Sequence, residues 1–200
     1  YLLGSIPLAY LVVYVTHRCD LTRKGSSNVG AMNAYEVTGS RLVGVSIGLM
    51  DAIKGALAVG IAGWTIGAEG TPPPHVPLAA IAGVIAGHNY NLWLSLQSGR
   101  LEGGKGLAAA AGALLAFQPY LVGAWALLYA AGIFAYGLWS GTRRIIVGNV
   151  VATALLPFAA YAVYGSSGAV TALVLAVLVL PKHWRQLREL LGPTEPETAS

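Results

Sequence analysis

Long apolar runs alternate with short polar segments from one end of the chain to the other. Apolar runs of about 20 residues are long enough to cross a bilayer as helices. The pattern therefore predicts a series of membrane helices, at residues 1–15, 42–66, 76–96, 107–118, 119–139, 145–164 and 169–180. The run at 107–118 is short, so it is compatible either with a full crossing or with a half-helix that lines a cavity.

The basic residues indicate how these helices are oriented. Eleven of the twelve Lys and Arg residues fall in four polar segments, 16–41, 97–106, 140–144 and 181–200, and the loops between them carry none. Basic loops of membrane proteins stay on the cytoplasmic side. The alternation predicts about seven crossings, with the N-terminus outside and the C-terminus in the cytoplasm, and it supports the two short runs better than their lengths do.

Composition agrees with a polytopic all-α membrane bundle. The chain is 56% hydrophobic and only 10% charged, and its mean hydropathy is +0.64, which excludes an ordinary soluble domain. The single cysteine, Cys19, excludes an internal disulfide. The net charge of +4 comes without a basic cluster or an aromatic ladder, so we expect a lipid bilayer and no nucleic acid as partner. Because the chain opens at Tyr1 and not at a methionine, we expect the natural N-terminus to lie upstream.

A glycine-rich loop precedes the short apolar run. It contains Gly103, Gly104, Lys105 and Gly106. Glycines let backbone N–H groups approach an anion closely, and the lysine adds a positive charge. A helix starting at Leu107 would point its positive end at the same place. The loop therefore suits a phosphate, although an ordinary turn between two helices would have a similar composition.

Three further polar patches fall on the same predicted side. Residues 25–33 combine glycines with hydroxyl and amide side chains, residues 87–90 contain His88, and residues 182–185 contain His183. Singly, each has a plainer interpretation as a capped turn, a packed histidine or a basic end that reaches the lipid headgroups. Together they indicate a site for a phosphorylated substrate that enters from the cytosol.

Asp51 and Lys54 lie inside the second apolar run. Their three-residue spacing puts them on one face of a helix. Charges inside a membrane are costly unless they are paired and face inward. The pair either stabilises helix packing or forms the wall of a polar cavity.

Several short motifs resemble, in the right order, those of the PlsY family of acyl-phosphate:glycerol-3-phosphate acyltransferases. Residues 25–33 resemble the family's GSGNVGATN, residues 51–55 its DxxKG, residues 87–90 its GHxYP and residues 103–106 its GGKG. His183 resembles the histidine of its HRENI stretch. The resemblance covers nearly the whole chain, from the first residue to the last helix.

The resemblance implies a seven-helix enzyme of the bacterial inner membrane whose active site faces the cytoplasm. Such an enzyme moves an acyl chain from acyl phosphate to the 1-hydroxyl of glycerol 3-phosphate, and no metal or other cofactor is expected. We expect one membrane-embedded domain over residues 1–192 and a frayed cytoplasmic tail over 193–200. A non-catalytic lipid- or phosphate-binding homologue and a small transporter are the alternatives, and the oligomeric state stays open.

The resemblance also implies roles for individual residues. The catalytic candidates are Ser26, Lys105 and His183. The substrate-binding candidates are Gly25, Asn28, Gly30, Asn33, Arg41, Lys54, His88, Gly103, Gly104 and Gly106. We expect the acyl tail to lie in a groove between helices that is continuous with the bilayer.

The chain departs from the family pattern at several positions. Glu36 stands where the family usually has an arginine, and a carboxylate there would repel a phosphate. Ser27 replaces a motif glycine, and Asn91 replaces the proline of GHxYP. Residues 98–102 form the expected insertion before the glycine loop. Other replacements are Met32 for threonine, Ala109 for threonine and Gln186 for asparagine.

Overall fold

The computed structural model describes residues 1–66, 73–137 and 144–191. All the regular secondary structure in these ranges is helical. The helices are α1 (Leu8–His17), α2 (Ala31–Thr38), α3 (Arg41–Ile66), α4 (His75–Asn89), α5 (Leu92–Ser98), α6 (Leu107–Phe117), α7 (Tyr120–Gly137), α8 (Arg144–Val179), a 3₁₀ turn at Leu180–His183, and α9 (Trp184–Leu191).

Two helices of the described chain are long and apolar enough to cross a membrane by themselves. They are α3, over Arg41–Thr65, and the segment Ile145–Arg188, which covers nearly all of α8 and is interrupted at Gly165. The predicted helix at 42–66 is thus confirmed. Large apolar side chains such as Leu42, Trp64 and Phe158 are more than three-quarters exposed. An outer surface of this kind suits hydrocarbon better than water.

The long helix α8 is a pair of helices that fold back on each other. Gly165 interrupts it with φ of 63° and ψ of −148°. A Cβ placed on Gly168 would lie 2.5 Å from the carbonyl oxygen of Ala160. Those two residues would be about 12 Å apart along a straight helix. The chain therefore reverses here, between the helices predicted at residues 145–164 and 169–180.

The short helix α6 is packed inside the bundle, chiefly against α3. A Cβ on Gly55 would lie 2.0 Å from the carbonyl oxygen of Ala109, and one on Gly112 would lie 1.8 Å from that of Ala52. Glycine at both positions lets the two backbones touch. At 11 residues, α6 is about 16 Å long, half of a hydrocarbon core. This length favours the half-helix alternative.

Two predicted helices were wrong in their extent. The first helix begins at Leu8, after Pro7, and not at residue 1. The helix predicted at 76–96 is broken into α4 and α5 at Tyr90. The break is stabilised by Asn91, whose side chain caps α5 at the Leu94 amide (3.1 Å) and donates to the carbonyl oxygen of Ser5 (2.7 Å).

Some predictions fall wholly or partly outside the described residues. These are the connection between the helices predicted at 42–66 and 76–96, most of the basic polar segment at 140–144 and the tail at 193–200. The polar segment predicted at 16–41 is described in full, and it contains the short helix α2.

Candidate active site

The glycine loop at the start of α6 is joined to two other parts of the chain. The Val29 amide donates to the carbonyl oxygen of Gly103 (3.2 Å), and the Gly104 amide donates to that of His88 (2.9 Å). Gly106 precedes α6 with φ of 80°. The helix starts at Leu107, as predicted. The glycine loop thus holds the first motif, residues 25–33, and the end of α4 next to the positive N-terminal end of α6.

The first-motif loop is organised by one buried amide. Asn33 is 1% exposed, and its Oδ1 accepts a hydrogen bond from the Ser26 amide (2.9 Å). Its Nδ2 lies within hydrogen-bonding distance of three backbone carbonyl oxygens, those of Leu21, Lys24 and Asn28. Gly25, with φ of 59°, passes so close that any side chain there would collide with Asn33. Asn33 therefore fixes the shape of the loop that presents Ser26.

The C-terminal segment closes the third side of the site. Lys105 Nζ donates to Gln186 Oε1. Lys182 Nζ donates to the carbonyl oxygen of Asn89 (2.8 Å) and lies 5.0 Å from the centre of the Tyr90 ring. Arg185 Nη2 donates to the carbonyl oxygen of Ser26 (2.8 Å). All the polar patches singled out in the sequence are thus joined by direct hydrogen bonds.

These segments enclose a polar cavity of about 340 Å³. Its lining consists of Thr22, Ser26, Ser27, Asn28, Arg100, Leu101, Glu102, Gly103, Lys105, Lys182, Arg185 and Gln186. Four of these side chains are cationic and one is acidic. The acid, Glu102, is paired with Arg100 at 3.2 Å. A cavity with this balance of charge is suited to phosphate groups.

A second cavity is an apolar groove of about 270 Å³. Its lining consists of Leu107, Ala108, Ala110, Ala111, Leu114, Val122, Trp125, Thr153, Leu156, Leu175 and Val179. Leu107 lies two residues after Lys105, and Val179 lies three residues before Lys182. The same two segments therefore contribute to both cavities, and the pair of environments suits a molecule with an anionic head and an apolar tail.

Asp51, Lys54 and His88 form a buried network beneath the glycine loop. Lys54 Nζ lies 2.8 Å from Asp51 Oδ1 and 3.3 Å from the carbonyl oxygen of Ile6. His88 Nδ1 lies 3.5 Å from the same Asp51 oxygen. The side chains surround a separate space of about 10 Å³, which is about the size of one water molecule. The network supports the loop, because a side chain on Gly104 would collide with His88.

The predicted site residues divide into those that line the polar cavity and those that do not. Ser26, Asn28, Gly103 and Lys105 line it. Gly25, Gly30, Asn33, Gly104 and Gly106 shape the loops, and Lys54 and His88 belong to the buried network. His183 is 1% exposed, with Nδ1 at 3.1 Å from the carbonyl oxygen of Val179. Arg41 is exposed at the first residue of α3, outside the lining.

The sequence singled out the stretch at 182–185 for His183, but it did not identify the two lining residues of that stretch, nor four lining residues elsewhere. Lys182 and Arg185 lie in a stretch that resembles a basic-aromatic helix end, and that interpretation concealed them. Their three-residue spacing, on the side where the other patches cluster, was the available signal. No pattern in the sequence marks the other four as site residues, because only the path of the folded loops brings them to the cavity. They are Thr22, Arg100, Leu101 and Glu102.

The chain matches the glycerol-3-phosphate acyltransferase family over residues 1–192. The glycerol-3-phosphate acyltransferase 2 of Moorella thermoacetica is 39% identical over 158 residues, which are 79% of this chain and 72% of that relative. The glycerol-3-phosphate acyltransferase of Syntrophotalea carbinolica is 33% identical over 196 residues, which are 98% of this chain and 92% of that relative.

The fold is also similar to a solved structure. A crystal structure of PlsY, an integral membrane glycerol 3-phosphate acyltransferase, in its glycerol 3-phosphate form, has a TM-score of 0.74 at 26% sequence identity. The similarity covers 96% of this chain and 88% of that one. With a family match over residues 1–192 and relatives of this extent, the chain belongs to the glycerol-3-phosphate acyltransferase family.

Proposed function

We propose that this protein transfers a fatty acyl chain from acyl phosphate to the 1-hydroxyl of glycerol 3-phosphate, giving 1-acylglycerol 3-phosphate. The observation that carries the proposal is that the cationic cavity and the apolar groove are lined from the same two segments of the chain, at Lys105 and Leu107 and at Val179 and Lys182. Acyl phosphate needs both environments within a few ångströms of each other. The family and the integral membrane relative support the same reaction.

The donor's phosphate is assigned to the glycine loop. Lys105 lines the cavity, and the positive end of α6 starts two residues later. As the bond between the acyl carbon and the phosphate oxygen breaks, negative charge grows on the leaving phosphate. A fixed lysine and a helix N-terminus offset that charge in the transition state. The acyl tail then lies along the groove past Leu107.

The acceptor is assigned to the first-motif loop. Ser26 and Asn28 line the cavity and offer a hydroxyl and an amide for a polyol. The 1-hydroxyl oxygen attacks the acyl carbonyl carbon, and phosphate departs with the electron pair of the broken bond. The hydroxyl proton passes either to a substrate phosphate or towards His183, whose Nε2 is buried without a hydrogen-bond partner among the described residues. Holding two anions close together and orienting one hydroxyl supplies much of the catalysis.

The protein is further proposed to cross the bacterial cell membrane about seven times, with its site facing the cytoplasm. The alternation of basic and uncharged loops supports this orientation. Helices too short to span alone, such as α6, are covered by their neighbours in the bundle.

Turnover in nanodiscs with palmitoyl phosphate and labelled glycerol 3-phosphate tests the reaction. The intact chain should give labelled lysophosphatidic acid, and Lys105→Ala should lose about a hundredfold or more of the rate. Lys24→Ala, which removes an exposed lysine outside the cavity lining, is the matched control and should keep the rate. Binding of both substrates without product would favour the non-catalytic alternative, and substrate-driven flux across a vesicle membrane would favour the transporter.

A further inference from the structure

Arg185 connects the two ends of the chain across the polar cavity. It lies in the first turn of α9, and its guanidinium donates to the carbonyl oxygen of Ser26, 159 residues earlier (2.8 Å). Both residues line the cavity. The guanidinium is therefore placed at the edge of the loop to which the acceptor is assigned.

The other cations of the cavity are engaged elsewhere. Lys105 donates a hydrogen bond to the Gln186 side chain near the start of α6, and Lys182 donates to the carbonyl oxygen of Asn89 at the end of α4. Arg100 is paired with Glu102, which offsets its charge. The hydrogen bond from Arg185 to the carbonyl oxygen of Ser26 places this cation beside the Ser26 loop.

Two charged residues that follow the first motif, Glu36 and Arg41, do not line the cavity. Glu36 is exposed on α2 and is absent from the cavity lining, so it makes no direct contact with an anion held there. Arg41 is exposed at the start of α3 and is also absent from the lining. A phosphate next to Ser26 thus meets a cation contributed by the C-terminal helix.

We propose that Arg185 binds the phosphate of the acceptor and sets the enzyme's preference for a phosphorylated polyol. This inference rests on the proposed acyl transfer. A guanidinium presents five N–H donors in a planar fork, so it can bind a phosphate through two parallel hydrogen bonds while it stays beside a backbone carbonyl. Two phosphates are then held by different parts of the chain, the donor's by Lys105 and the acceptor's by Arg185.

Two substitutions of Arg185 test separately the contributions of its charge and of its planar fork of N–H donors. Arg185→Gln keeps a polar side chain with N–H donors but removes the positive charge, and Arg185→Lys keeps the charge but removes the fork. We expect Arg185→Gln to raise the KM for glycerol 3-phosphate about tenfold to a hundredfold, with the KM for palmitoyl phosphate unchanged. The KM of Arg185→Lys for glycerol 3-phosphate should lie between that of the intact chain and that of Arg185→Gln, because the positive charge alone restores part of the binding.

Arg188→Ala is the matched control, since it removes an exposed arginine one turn further along α9 that is absent from the lining. It should leave both KM values unchanged. An unchanged KM for glycerol 3-phosphate in Arg185→Gln, or a rise confined to palmitoyl phosphate, would overturn the assignment. Thermal unfolding of each variant shows whether it is folded.

Calorimetric titration with glycerol 3-phosphate distinguishes the failure of this inference from the failure of the proposed reaction. If the intact chain binds glycerol 3-phosphate but makes no product, the reaction is wrong. Arg185 is then still tested by its effect on the dissociation constant. If the intact chain neither binds nor acylates glycerol 3-phosphate, both proposals are wrong.

Discussion

Ser27 is held in a backbone conformation that its side chain disfavours. Its φ is +57°, in the left-handed region, within the loop that presents Ser26. For a residue with a Cβ this conformation costs about 1–2 kcal/mol. The surrounding hydrogen bonds of Asn33 hold the loop in place despite that cost. Strain of this kind persists where neighbouring structure determines the loop, often at functional sites.

Replacement of Ser27 by glycine should therefore stabilise the protein. We expect Ser27→Gly to raise the free energy of unfolding by about 1 kcal/mol, because glycine adopts a positive φ without a steric penalty. Thermal unfolding in one detergent measures the change. Ser27→Ala is the control: it removes the hydroxyl but keeps the Cβ, so it should not stabilise. Equal stabilisation by both variants would show that the backbone conformation is not the cause.

At the scale of elements, the apolar pattern predicted helices better than it predicted their interruptions. The helix at 42–66 is almost continuous in composition, and α3 reproduces it. The break after α4 depends on contacts of Asn91 with Ser5, 86 residues away, which no local pattern contains. The same holds for the site. Lys105 could be predicted from the local glycine-rich motif, whereas the role of Arg185 depends on a contact with Ser26 that only the folded chain shows.

The contact between α3 and α6 gives a prediction about packing. Gly55→Val should destabilise the bundle by about 3 kcal/mol and abolish most turnover, because a side chain there would meet the backbone of Ala109 at the helix that carries the glycine loop. Gly60→Val is the matched control on the same helix, since nothing lies within 4 Å of a Cβ at Gly60. Thermal unfolding and turnover are measured together. Equal losses in the two variants would point to helix propensity and not to the contact.

At the scale of the whole molecule, the site and the Gly165 reversal lie at opposite ends of α6. Gln118 lies just beyond the end of α6, and its Nε2 donates a hydrogen bond to Oγ of Ser167, which is next to the reversal (3.2 Å). The other end of α6 begins at the glycine loop, about 16 Å away along the helix axis. Four segments form the site, namely the glycine loop, the first motif, the end of α4 and the C-terminal segment. All of them lie at the end of α6 where the glycine loop is. Orientation in the membrane therefore decides which compartment supplies the phosphorylated substrates.

The single cysteine provides a direct test of that orientation. Cys19 follows α1 in the basic segment that contains the first-motif loop, and Ser166 is exposed at the opposite end. If basic loops face the cytoplasm, a membrane-impermeant maleimide added to intact cells should leave Cys19 unlabelled and should label Ser166→Cys in a Cys19→Ser background. Both cysteines should react after the membrane is permeabilised, which controls for burial. Labelling of Cys19 in intact cells, with Ser166→Cys protected, would reverse the orientation and place the site outside the compartment where acyl phosphate is expected.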